Sequence, residues 1–188
     1  MRRALGLILL ALIVLAAVGL YAVKTEPGWY VRMRYPLEYG AIIRAHADNY
    51  GLEPSLLAAV VYTESKFDPN AKSSAGAIGL MQLLPATAQG IADHTGGGSY
   101  QPTDLYDPEL NIRYGAYYLA RMRDKYRDHP QALDLALAAY NAGQGNVDRW
   151  VAATPAGRPV RIPFRETRDY IARVHRLQAL YRRGYGLG

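Results

Sequence analysis

The chain has 188 residues, half of them apolar and a fifth charged, with a net charge of +6 and no cysteine. That is enough apolar material for one folded domain and too little charge for a disordered chain. The absence of cysteine excludes disulfides, zinc thiolate sites, thiol nucleophiles and lipid attachment through an N-terminal cysteine. The four histidines, His46, His94, His129 and His175, show no ligand spacing, so neither a metal nor a cofactor is expected. The positive charge suits polyanionic surroundings. Its C-terminal group, from Arg165 to Arg183, is dispersed and reads as a solvated helix face, so no nucleic-acid partner is expected.

Ala4 to Val23 is a run of twenty residues without a charge. As a helix it is about 30 Å long, enough to cross a bilayer core. Arg2 and Arg3 precede it, which predicts a cytoplasmic N-terminus and an exported remainder. A cleaved signal peptide is the alternative. Ala16, Ala17 and Gly19 are small, but no A-x-A site stands out. The expected organisation is an anchor over 1–23, a juxtamembrane linker over 24–35 and a catalytic domain over 36–188.

Helical periodicity then dominates. Pro36 to Tyr50 reads as a helix stopped by Gly51. Pro54 opens a second, to about Lys66, on which Leu57, Val60, Val61 and Glu64 share a stripe. Ser73 to Gln82, with Gly76 and Gly79, reads as a loop or very short hairpin. Further helices are expected over Pro85–His94, Pro108–Tyr126, Pro130–Asn141, Asn146–Ala153 and Arg165–Arg183. The fold class is mainly α with little or no sheet.

Four segments hold residues that could carry chemistry. Glu64 is a carboxylate on an apolar stripe, in the last turn of its helix. Burial and the negative helix end both disfavour its charge, so a raised pKa and a proton-donor role follow. A structural Glu paired with an arginine is the alternative. The segment SSAGAIGLMQ, Ser73 to Gln82, lets backbone approach a ligand and offers the amide of Gln82, which suits an N-acetylated sugar. Tyr140, at the end of an apolar helix, either bonds a reacting group or packs in the core. Glu166 falls in the first turn of the last helix, where a carboxylate is also favourable for structural reasons. The sixteen tyrosines suit sugar stacking and half-buried helices alike.

Together the motifs Glu64–Ser65, GLMQ at Gly79–Gln82, AYN at Ala139–Asn141 and ETRDY at Glu166–Tyr170 resemble those of lytic transglycosylases of the soluble type. Each motif is common, but the four in this order behind an export segment are specific. The resemblance implies a lysozyme-like, goose-type α-fold acting on peptidoglycan glycan strands. It implies that Glu64 is the single acid/base. Ser65, Ser73, Gly79, Gln82, Asn141 and Tyr170 belong to the substrate-binding cleft. Met81 lines that cleft, Tyr140 faces the reacting centre and Glu166 is a cleft carboxylate. The chain departs from the pattern at Gln144, where the family commonly has proline. The implied product is 1,6-anhydro-N-acetylmuramic acid. The rival readings are a muramidase that uses water on the same bond and a wall-binding protein without activity.

Overall fold

The apolar run forms one helix, α1 (Arg2–Thr25), in a computed structural model that describes residues 2–155 and 157–188. From Leu5 to Val23 its large apolar side chains are exposed, and only Ala22 is buried. It is long and apolar enough to cross a membrane.

The segment expected to be a linker instead contains a short helix, α2 (Gly28–Arg34), packed on the last helix of the chain, α9 (Arg165–Tyr185). Val31 is fully buried there. Gly184 of α9 makes room for it, since a Cβ on Gly184 would lie 2.6 Å from Val31 Cγ1. The Arg32 guanidinium donates to the Gly184 carbonyl at 2.9 Å. Just before α2, Glu26 accepts from Arg176 at 2.5 Å and lies 3.6 Å from Arg183. Seven residues with one buried side chain are too few to show as periodicity, which is why the sequence reads as a linker.

The helix α3 (Gly40–Tyr50) starts four residues later than expected and ends on Gly51 in the left-handed region, at φ 61°. The next helix, α4 (Pro54–Ser65), is buried on every side from Ser55 to Val61. The stripe read from the sequence is part of a helix that is apolar all round and lies at the centre of the fold. It packs against α9 and α3. The others are α5 (Pro85–Thr95), α6 (Pro108–Lys125), α7 (Ala132–Ala142) and α8 (Gln144–Ala152), with an unexpected 3-10 helix at Pro102–Tyr106. Core side chains include Leu57, Val60, Ile112, Leu119, Leu137 and Tyr181.

Between α4 and α5 the chain forms two isolated antiparallel bridges, Lys72 with Ile78 and Ile78 with Leu83, and no strand among the described residues. A loop so short of regular pairing needs other partners for its backbone. Asn111, fully buried on α6, supplies them. Its amide nitrogen donates to Ile78 O at 3.0 Å and Leu105 O at 2.8 Å, and its oxygen accepts from Met81 N at 2.8 Å. Gly79 and Gly115 complete the fit. A Cβ on Gly79 would lie 2.3 Å from Leu105 O, and one on Gly115 would lie 2.3 Å from Met81 Sδ.

Replacing Asn111 with leucine keeps the branching of the side chain and strands the Met81 N–H and the Leu105 carbonyl, while Ile78 O keeps the Leu83 N–H. At about 1 kcal/mol or more for each, the loss is about 2 kcal/mol. Equilibrium unfolding of the full chain in detergent measures it, and a loss below about 1 kcal/mol would mean that the loop is held by something else.

Candidate active site

At the C-terminal end of α4, Glu64 emerges from the core into a cleft. It borders two hollows at once. One, of about 390 Å³, is walled by Ser73, Gln82, Leu84, Tyr118 and Tyr140. The other, of about 490 Å³, is walled by Thr63, Glu166, Asp169 and Tyr170. Asn141 touches both. Each is in the size range of small-ligand sites, and the carboxyl group sits at their junction.

Burial raises the Glu64 pKa from its ordinary 4.5 to about 7. The neighbouring Tyr170 hydroxyl favours the ionised form and opposes this, less strongly. That hydroxyl is buried and has no hydrogen-bond partner of good geometry among the described residues, so its contact with Glu64 is loose. No lysine, arginine or histidine forms an ion pair with Glu64 among the described residues. The structural alternative, a buried Glu neutralised by an arginine, is therefore not what the fold builds.

The wall of the first hollow has its hydrogen bonds half used. Ser73 Oγ accepts from Ala77 N at 3.0 Å, which leaves its own proton to donate. The amide nitrogen of Gln82 donates to the carbonyls of Ala71 at 3.1 Å and Gly79 at 3.0 Å, which leaves its oxygen to accept. Tyr140 donates to Met81 O at 2.8 Å, so its oxygen lone pairs remain. Burial, and next the charge of Glu64, hold the Tyr140 hydroxyl well above its ordinary pKa, so it stays protonated. On the other side, Thr167 donates to Asn141 Oδ1 at 2.8 Å and ties α9 to the end of α7.

Of the ten residues picked out by sequence, seven border the two hollows: Glu64, Ser73, Gln82, Tyr140, Asn141, Glu166 and Tyr170. Three stand behind the wall. Ser65 donates to Leu80 O at 2.8 Å and Val61 O at 3.2 Å, joining α4 to the loop. Gly79, at φ 78°, makes space for Asn111 and not for a ligand. Met81 is fully buried against Gly115, and only its carbonyl serves the site, through Tyr140. A large exposed apolar residue of this wall is Leu84, three positions later. Sequence reasoning also missed Tyr118, whose ring lies 5.5 Å from that of Tyr140, and the buried pair Asn111 and Thr167. Asn111 and Tyr118 sit seven residues apart on one face of α6, and a polar residue on that face was the available clue.

Residues 41–159 match the transglycosylase SLT domain family. The chain belongs to that family. The match ends before α9, which brings Glu166 and Tyr170 to the site. The membrane-bound lytic murein transglycosylase C of Histophilus somni is 36% identical over 166 residues, covering 77% of this chain and 46% of that protein. The soluble lytic murein transglycosylase of Escherichia coli K12 is 34% identical over 160 residues, covering 81% of this chain and 24% of its own length. The chain thus spans less than half the length of these relatives. The lytic transglycosylase Slt of Pseudomonas aeruginosa, solved as an inactive glutamate-to-glutamine mutant, superposes with a TM-score of 0.74 at 34% identity, over 84% of this chain and 26% of that one. The expected mainly α, lysozyme-like fold behind one apolar helix is the fold found.

The raised Glu64 pKa has a cost in stability. Between pH 4.5 and about 7 the folded chain holds a proton at Glu64 that the unfolded chain has lost. Stability from this group therefore falls as pH rises through that window and stays low above it. The full gap corresponds to about 3 kcal/mol. Glu64→Gln removes it. The variant is expected to match the parent below pH 4.5 and to exceed it by up to about 3 kcal/mol at pH 8. Unfolding curves at the two pH values check this, and equal stability at pH 8 would contradict the burial argument.

Proposed function

We propose that this chain is a membrane-anchored lytic transglycosylase that cleaves the β-1,4 bond between N-acetylmuramic acid and N-acetylglucosamine in peptidoglycan. The observation that carries this reading is the desolvated, unpaired carboxyl of Glu64 at the junction of two hollows. A glycan laid through both would put one glycosidic oxygen beside a protonated acid. In this reading residues 1–23 are the anchor, and 36–188, with α2 docked on them, are the catalytic unit on the extracytoplasmic side. The name of the Histophilus somni relative supports the anchor, and the two arginines before α1 support the orientation. The inactive mutant of the Pseudomonas aeruginosa enzyme supports the importance of a glutamate in this family.

Glu64 gives its proton to the bridging oxygen as the bond to the muramoyl C1 breaks. The substrate's acetamido group stabilises the positive centre that forms. Glu64, now a carboxylate, takes the proton of the muramoyl C6 hydroxyl, and that oxygen closes on C1. The product is the 1,6-anhydro sugar, and Glu64 ends protonated again. Ser73, Gln82 and Tyr140 hold the muramoyl sugar with one donor and two acceptors. Ordinary glycosidases need a second carboxylate, as nucleophile or as base for water. Among the described residues no second carboxylate perturbs Glu64, and none other borders the first hollow. Glu166 and Asp169 lie exposed on the outer rim of the second. This favours the C6 hydroxyl over water as acceptor.

Mass spectrometry of peptidoglycan treated with the full chain decides between them. Anhydro ends are expected, and reducing ends without them would make the protein a muramidase. Glu64→Gln is expected to lose about 10³-fold in rate, and a near-normal rate would remove Glu64 from the mechanism. Since the acid form is the active one, kcat/KM is expected to fall as pH rises through about 7. Tyr170 favours the carboxylate, so Tyr170→Phe is expected to move that fall to higher pH. A fall at unchanged or lower pH would contradict the role given to Tyr170.

A further inference from the structure

The cleft does not stop at Leu84. Thr87 and Tyr118, on its rim, also border a hollow of about 230 Å³ between α5 and α6. Ile91 and Tyr117, in that hollow, also border a third, of about 300 Å³, which reaches Tyr50, Gly97 and Arg113. The shared side chains make one track, from Glu64 along the seam of α5 and α6 to Arg113.

The chemistry changes along the track. Neither added hollow is lined by an aspartate or glutamate. Each has an arginine instead, Arg121 in the nearer and Arg113 in the farther. Neither forms a salt bridge among the described residues, although Arg123, Arg127, Arg165, Arg176, Arg182 and Arg183 all do. Both are stacked on tyrosine. The Arg113 guanidinium lies 5.3 Å from the centre of the Tyr114 ring and that of Arg121 lies 5.8 Å from the Tyr117 ring. Arg121 also donates to the Tyr117 hydroxyl at 3.2 Å.

Stacking orients a guanidinium without neutralising it, and leaves its N–H fork available to a carboxylate. The acids nearby are engaged elsewhere. Glu109 bonds His46 at 2.7 Å, and Asp104 accepts from Gln101 N at 2.8 Å. Eight residues separate the two arginines, roughly 12 Å along α6. An extended peptide covers that in three to four residues, at roughly 3.3–3.6 Å each.

We propose that the α5–α6 track is a second binding site, which takes the carboxylate-bearing stem peptide of the same strand whose sugars occupy the cleft, with Arg113 and Arg121 as its anchors. This rests on the peptidoglycan reading above. A detached anionic wall polymer would also be drawn to arginines, but the continuity with the cleft points to an anion carried by the substrate itself.

Glycan oligomers of one length, with and without stem peptides, provide the test. The full chain is assayed in detergent as the parent, as Arg113→Gln with Arg121→Gln, and as a control pair of equal charge, Arg34→Gln with Arg127→Gln. In the first pair, KM for the peptide-bearing oligomer is expected to rise about tenfold, as for two exposed ion pairs lost. Its kcat, its KM for bare glycan and both values in the control pair are expected to stay put. An equal rise on both oligomers, an equal rise in the control pair, or no rise overturns the proposal. Calorimetric binding to the Glu64→Gln chain separates this from the proposed activity. Tighter binding of the peptide-bearing oligomer that is lost with the two arginines supports the track even if nothing is cleaved. Cleavage of both oligomers with no such difference overturns the track alone.

Discussion

The carboxyl group of Glu64 is taken out of water without a counter-ion, and the rest of the domain is arranged around that cost. α4 can bring it there because the helix is apolar on every side and sits at the centre, so its last turn opens from the core directly into a cleft. An exposed helix would present the same residue to water and leave its pKa ordinary. A partnered one would hold it ionised and useless as a donor. The single nearby group that favours the charge, the Tyr170 hydroxyl, is too loosely placed to win. The outcome is an acid whose pKa near neutrality lets it both give and retake a proton.

The cleft wall has to meet this acid with fixed polar groups, yet it is built from a loop with two isolated bridges. Its rigidity comes from behind. Asn111 satisfies three backbone groups, Ser65 ties the loop to the end of α4, and Gly79 and Gly115 allow the close approach on which these bonds depend. Tyr140 then bonds the carbonyl of Met81, so the helix that carries Tyr140 and the loop that carries Gln82 are one unit. Residues that never touch the cleft therefore set where its donors and acceptors point.

This division explains what could be read from the sequence. Helix-forming stretches with proline at the start and glycine at the end were legible to within a few residues, because those signals are local. The burial of Glu64 was legible too, although the stripe on which it was argued is part of a wholly buried helix. Met81 was misplaced because a loop's facing is not periodic: Leu84 takes the cleft while Met81 fills the gap left by Gly115, thirty-four chain positions away in no pattern that a window of sequence contains. Asn111 stayed hidden for the same reason, since two of its three partners, Ile78 and Met81, lie thirty or more positions away. The short helix α2 escaped because one buried valine makes no period.

That helix alters how the anchor and the site are related. A flexible linker would let the catalytic unit sample many heights and tilts above a membrane. Here Glu26 is bridged to Arg176 and Arg183, and Val31 is seated on Gly184, so the chain leaving α1 is fastened to the last turns of α9. The first turns of the same helix carry Glu166 and Tyr170 into the second hollow. Tyr170 and Gly184 are fourteen residues apart, roughly 21 Å along a continuous helix. On the proposed anchoring, α9 is thus a strut with the membrane attachment at one end and the cleft at the other. In that arrangement a strut would confine cleavage to strands at one distance from the bilayer.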